Sequence, residues 1–145
     1  MISFRTEDIK FSLKQKTVIK NWIIAVIKKK KRIPGELSFI FCSDAYLLGI
    51  NQQYLNHNTY TDIITFDYSK ESKALPISGD IFISVERVRE NATKYSTTFE
   101  NELNRILIHG ILHLLGHKDK TKADKDEMTR QENSCLRMLQ QAKVR

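Results

Sequence analysis

Two histidines, His109 and His113, stand four residues apart in an apolar run, and a carboxylate, Asp119, follows six residues after the second. A helix turns about 100° per residue, so side chains four apart lie one turn above each other on nearly the same face. Imidazoles placed this way can converge on one divalent ion, and neutral imidazole suits zinc. His117 lies about 12 Å from His109 along a straight helix, too far to share an ion with it. Gly116 supplies the break, because glycine enters left-handed backbone space cheaply and commonly ends helices. The chain can then bend back and present Asp119. The predicted ligand set is His109, His113 and Asp119 around a single ion, zinc by ligand type, with nickel or manganese chemically admissible. A fourth coordination position is expected to hold water, as in catalytic zinc sites.

The competing explanation is a core helix whose histidines are merely satisfied. Ile106, Leu107, Ile108, Ile111, Leu112, Leu114 and Leu115 surround the pair, and a helix apolar nearly all round is a buried one. Burying two imidazoles without partners costs free energy, and a metal supplies the partner. Ligand spacing, glycine stop and carboxylate together favour the metal.

Several elements must position this segment. Ile2 to Phe4 reads as a short strand, and Leu13 to Lys31 as an amphipathic helix with Val18, Trp22, Ile23, Val26 and Ile27 on one side, stopped by Pro34-Gly35. Glu36 to Cys42 reads as a strand, and Ser43 caps a helix running through Tyr54. Thr61 to Asp67 is a β-branched strand, Lys70 to Ser78 a polar loop, and Gly79-Asp80 introduces a strand from Ile81 to Val85. Glu86 to Tyr95 is helical. Thr97 and Glu100 form a capping-box pattern that launches the histidine helix. Lys125 to Lys143 is a final amphipathic helix that buries Met128, Cys135, Leu136 and Leu139. The expected fold class is mixed α/β (α+β): a central, roughly four-stranded mixed sheet packed by about five helices, with the histidine helix buried at the centre.

The 145 residues fit one domain, 1–145, with a real core. A net charge of +7 points to a polyanionic partner such as nucleic acid. Lys28 to Arg32 is equally well explained as a solvated helix end. Lys118, Lys120, Lys122 and Lys125 are more telling, because they directly follow the histidine motif. Cys42 and Cys135 have no CxxC partner and are expected as reduced thiols in a cytoplasmic, soluble protein. The run from Trp22 to Ile27 is far too short to span a bilayer, and the N-terminus does not read as a signal peptide.

The block His109-Gly-Ile-Leu-His113-Leu-Leu-Gly116, preceded by Thr61-Asp62-Ile-Ile-Thr-Phe66 and Gly79-Asp80-Ile81, resembles the YbeY family of metal-dependent, single-strand-directed endoribonucleases. The likeness runs from about Leu37 to Asp119. It implies a role in rRNA maturation and ribosome quality control, with single-stranded RNA or rRNA as substrate and the ribosome or its proteins as partners. The chain departs from that pattern twice. The family's third ligand is usually histidine, and Asp119 stands at the matching position; one positive charge fewer implies a less acidified water on the ion. The family usually has an arginine, associated with RNA cleavage, where this chain has Leu55.

Gly110 occupies the place where zinc proteases of the HExxH type carry their general base, which argues against peptide hydrolysis. Phosphodiester cleavage needs no such glutamate, since a metal can polarise a phosphoryl oxygen or supply hydroxide. Lys118, Lys120 and Lys122 are the expected phosphate contacts. A ribosome-assembly factor with a structural metal is the alternative, and a metallopeptidase the more remote one. The plainer readings are preferred elsewhere: His117 and His57 as exposed loop residues, Asp62 as a turn cap before its strand, Tyr54 and Tyr60 as loop packing, and Glu102 with Arg105 as a surface ion pair.

Overall fold

Leu37, Phe39 and Phe41 alternate with Ile40 and Cys42 along one strand, and all five are buried. Side chains of a strand alternate between faces, so this strand belongs to a sheet covered on both sides. The computed structural model of the chain, which describes residues 1–69 and 75–144, shows that arrangement. The element order is β1 (Ile2–Thr6), α1 (Lys16–Lys29), β2 (Pro34–Cys42), α2 (Asp44–Leu55), β3 (Ile63–Asp67), β4 (Ile77–Ser84), α3 (Val85–Lys94), α4 (Phe99–Leu114) and α5 (Lys122–Val144). The sheet order is β1-β2-β4-β3. β1 and β4 pair parallel to β2, and β3 pairs antiparallel to β4. The mixed four-stranded sheet with five helices among the described residues is the fold class expected from the residues.

Leu37, Phe39, Phe41, Ile77, Ile81 and Ile83 form the sheet's contribution to the larger core, which α1, α3, α4 and α5 complete. Ile40, Cys42, Ile64 and Phe82 face the other way and pack against Leu47 of α2. α4 lies against this layered core with Leu107, Ile108, Ile111 and Leu112 fully buried. α5 is tied down by Trp22, whose indole N–H donates to the Cys135 carbonyl at 2.8 Å. Cys42 and Cys135 are free and buried. Burial, aided by nearby Asp8, pushes the Cys42 thiol up to about 12, so it is inert at neutral pH.

Several boundaries differ from expectation. Pro34-Gly35 does not stop α1; the helix closes at Lys30, Lys31 takes a positive φ of 60°, and Pro34-Gly35 opens β2. Proline is tolerated there because it is a strand's first residue. Gly79-Asp80 lies inside β4 rather than before it, and Ile77 and Ser78 are strand, not loop; Leu75 and Pro76 are outside regular structure as expected, and residues 70–74 lie outside the described residues. Gly79 fits within the strand because a side chain there would meet the Phe66 carbonyl and Leu114 of α4. Val85 begins α3, capped by Ser84. α4 is capped by Thr98, whose hydroxyl accepts from Asn101 N–H, one residue later than the Thr97 box. α5 starts at Lys122, because Thr121 and Asp124 bond each other's backbone amides reciprocally. Leu136 is only partly buried. Ser43 caps α2 as expected, accepting from Tyr46 N–H at 3.0 Å.

Candidate metal centre

α4 ends in a Schellman turn. Gly116 N–H bonds the His113 carbonyl and His117 N–H bonds the Leu112 carbonyl, both at 3.0 Å, with Gly116 at φ +102°. The reversed chain then carries Asp119 back over the end of the helix. His109 Nε2 and His113 Nε2 are 3.0 Å apart, and Asp119 Oδ2 lies 3.4 Å from the first and 3.3 Å from the second. Tetrahedral coordination with bonds of about 2.0–2.1 Å separates ligand atoms by roughly 3.4 Å. The triangle therefore has the dimensions of three corners of one coordination sphere, and these residues form a group able to hold a metal ion.

The protonation pattern supports the same fit. His109 Nδ1 lies 2.6 Å from Glu132 Oε2, and His113 Nδ1 lies 3.0 Å from the His117 carbonyl. A carboxylate and a carbonyl only accept, so each Nδ1 carries a proton and each Nε2 is the nitrogen left to face inward as a ligand atom. Two imidazole Nε2 atoms and a carboxylate oxygen thus converge on one point. Such a donor set calls for a cation. The side chains of His109 and His113 are 17% and 26% exposed and that of Asp119 is 42% exposed, so the centre opens to solvent.

Carboxylates act on His109 from three sides. Burial lowers the pKa of His109, but the Glu132 hydrogen bond and charge, joined by Asp119 and Asp62, more than offset it and raise the net value. Burial also raises Asp62, against the pull of the His109 charge. Asp62 accepts from Asn91 Nδ2 at 3.2 Å, which ties the entry of β3 to α3 rather than simply closing a turn.

The other candidates are distributed as follows. Lys118 and Lys120 are exposed on either side of Asp119, and Lys122 is exposed at the start of α5, where it approaches Asp126 at 3.7 Å. His57 is exposed. His117 is half-buried, and it is its carbonyl that serves the centre, by orienting His113. Tyr54 and Tyr60 are both largely exposed, yet Tyr54 packs edge-on against Phe66 with ring centroids 6.0 Å apart, and Arg87 lies over the Tyr60 ring at 5.3 Å. Leu55, at the end of α2, is also exposed. Glu102 and Arg105 form no surface pair. Glu102 is buried, and Arg105 instead bonds Glu132 at 2.8 Å. Gly110 faces the sheet, where a Cβ would approach Ile81 and Ile63 at 3.0–3.2 Å, leaving no room for a glutamate.

Glu132 is the residue that reading the chain missed. It occupies the buried stripe of α5 with Met128, Cys135 and Leu139, at intervals of four, three and four residues. A carboxylate at a stripe position was the available signal.

Sequence and structure comparisons agree with this architecture. The profile of the family described as endoribonuclease YbeY matches residues 1–140. The chain is 50% identical over 139 residues to "Endoribonuclease YbeY" of Flavobacterium psychrophilum, covering 96% of each chain. It is 48% identical over 139 residues to the protein of the same name from Flavobacterium johnsoniae, covering 96% of this chain and 97% of that one. The solution structure of TM1509 from Thermotoga maritima superposes with a TM-score of 0.65 at 26% identity, covering 96% of this chain and 89% of that one. With a profile match over nearly its whole length and relatives near half identity, this chain is a member of the endoribonuclease YbeY family.

Proposed function

We propose that residues 1–145 act as one metal-dependent endoribonuclease domain that hydrolyses phosphodiester bonds in single-stranded RNA. One divalent ion, zinc by ligand type, is held by His109 Nε2, His113 Nε2 and Asp119 Oδ2. The observation that carries the reading is the convergence of those three atoms within 3.0–3.4 Å of one another. When bound, such an ion supplies Lewis acidity to a phosphoryl oxygen and acidifies water. The chain's own residues do the rest. Glu132 and the His117 carbonyl hold the two imidazoles in the tautomer that presents Nε2. Lys118 and Lys120 flank Asp119 and meet the phosphates, with Lys122 at the start of α5.

The physiological setting we infer is rRNA maturation and ribosome quality control in the cytoplasm, with ribosomal components as partners. The family membership supports it, as does the net charge of +7. No helix among the described residues is long and apolar enough to cross a membrane. Exposed Leu55 favours a second reading, an assembly factor whose metal is structural. Peptide hydrolysis is disfavoured by the packing of Gly110 against Ile81 and Ile63.

Metal analysis of the purified protein, paired with cleavage of single-stranded RNA with and without chelator, tests the proposal. His113→Ala is expected to lose the ion and cut at least 100-fold more slowly. Retained metal with no cleavage of any RNA points to the assembly factor, and full cleavage by metal-free His113→Ala discards the mechanism.

A further inference from the structure

Glu132 belongs to α5, yet its carboxylate reaches into the metal centre. Oε2 sits 2.6 Å from His109 Nδ1, and Oε1 accepts from Arg105 Nη1 at 2.8 Å. Arg105 Nη2 in turn donates to Asn133 Oδ1 at 2.8 Å, so the guanidinium clips two neighbouring residues of α5. Glu132 is only 6% exposed and shares its stripe with Met128, Cys135 and Leu139.

Burying a carboxylate among apolar neighbours is costly, and a well-packed apolar residue at such a place often gives an equally or more stable fold. Helix docking alone therefore does not account for a glutamate here. Arg105 takes one oxygen, and the other is spent on the Nδ1 of His109, whose His113 and Asp119 neighbours lie at Nε2 instead. We infer that Glu132 is a positioning residue for the metal centre: it holds the proton on His109 Nδ1, aims Nε2 at the ion and increases the basicity of that ligand. Asp119 and Glu132 approach His109 from different elements, one from the turn after α4 and one from α5, and together they fix the ring at both nitrogens. The centre is then completed only when α5 is docked. This rests on the metal reading proposed above.

The test uses the full chain. Zinc affinity is measured by competition with a chromophoric chelator for wild type, Glu132→Gln and His113→Ala, and thermal melting of the metal-free proteins is recorded beside it. Glu132→Gln keeps the shape of the side chain but not its charge. It is expected to bind zinc 10–100-fold more weakly than wild type. It is also expected to shift the visible absorption of the cobalt-substituted protein, a signature that a docking role alone would leave in place. Wild-type zinc affinity with an unshifted cobalt spectrum overturns the inference. If Glu132→Gln does not fold, nitrogen-15 correlation spectra of the zinc-loaded wild type decide: a proton on His109 Nδ1 shifted downfield by a carboxylate supports the inference, and a proton on Nε2 overturns it. Absence of zinc binding by wild type is the separate failure of the metal reading itself.

Discussion

Gly116 ends α4 and turns the chain so that Asp119 returns to the histidines. Its φ of +102° lies where an L side chain is strained, although the space around it is open. Gly116→Ala is therefore expected to cost about 1–2 kcal/mol, or roughly 3–8 °C in melting temperature. Zinc affinity should fall with it, because Asp119 loses its placement. An unchanged melt would show that the backbone is not strained there. Glu102 makes a second prediction. Burial raises its pKa above the ordinary 4.5, opposed by Arg105 and reinforced by Asp62 and Glu132. A group whose folded pKa is raised contributes its stability below the unfolded value and loses it as pH climbs through the folded one. Glu102→Gln should accordingly stabilise the protein by about 1 kcal/mol at pH 7, with the gain shrinking toward pH 4.5. Melting temperatures that differ equally at both pH values would contradict this.

α4 joins two unlike faces. One packs Gly110, Ile111 and Leu107 into the core, and the other carries Glu102, Arg105, His109 and His113 at helical intervals. Gly110→Glu would drive a charge between Ile81 and Ile63, so it should abolish the folded state rather than add a catalytic base; circular dichroism of the variant checks this. Local features of this element were legible from the chain because they obey helical geometry: the histidine pair, the glycine stop and the returning carboxylate. The Ser43 cap and the β-branched strand of Ile63 to Asp67 were legible for the same local reason. Features that depend on distant partners were not. Glu102 and Arg105, three apart, look like an ion pair until α5 arrives and Glu132 claims the guanidinium. The start of β4 was hidden because Gly79 reads as a turn residue, whereas its place in the strand is decided by the Phe66 carbonyl and Leu114.

At the scale of the whole molecule, the net charge of +7 matters most where it meets the metal centre, at exposed Lys118 and Lys120. Each phosphate contact on a single strand contributes about 0.7 to the slope of log affinity against log salt. Replacing both lysines with glutamine should lower that slope by about 1.4 in a binding titration, with metal content unchanged. A wild-type slope would move the RNA path elsewhere, for instance toward Tyr60 and Arg87. The spacing of the centre along the chain has one more consequence. All three convergent atoms come from eleven consecutive residues, whereas Glu132 follows thirteen residues after Asp119. During synthesis the ion-holding segment leaves the ribosome first, and the carboxylate that steadies it emerges later. On the metal reading proposed above, capture of the ion is then expected to proceed in two stages as the nascent chain lengthens, loose once residue 119 is free and tight once α5 has closed.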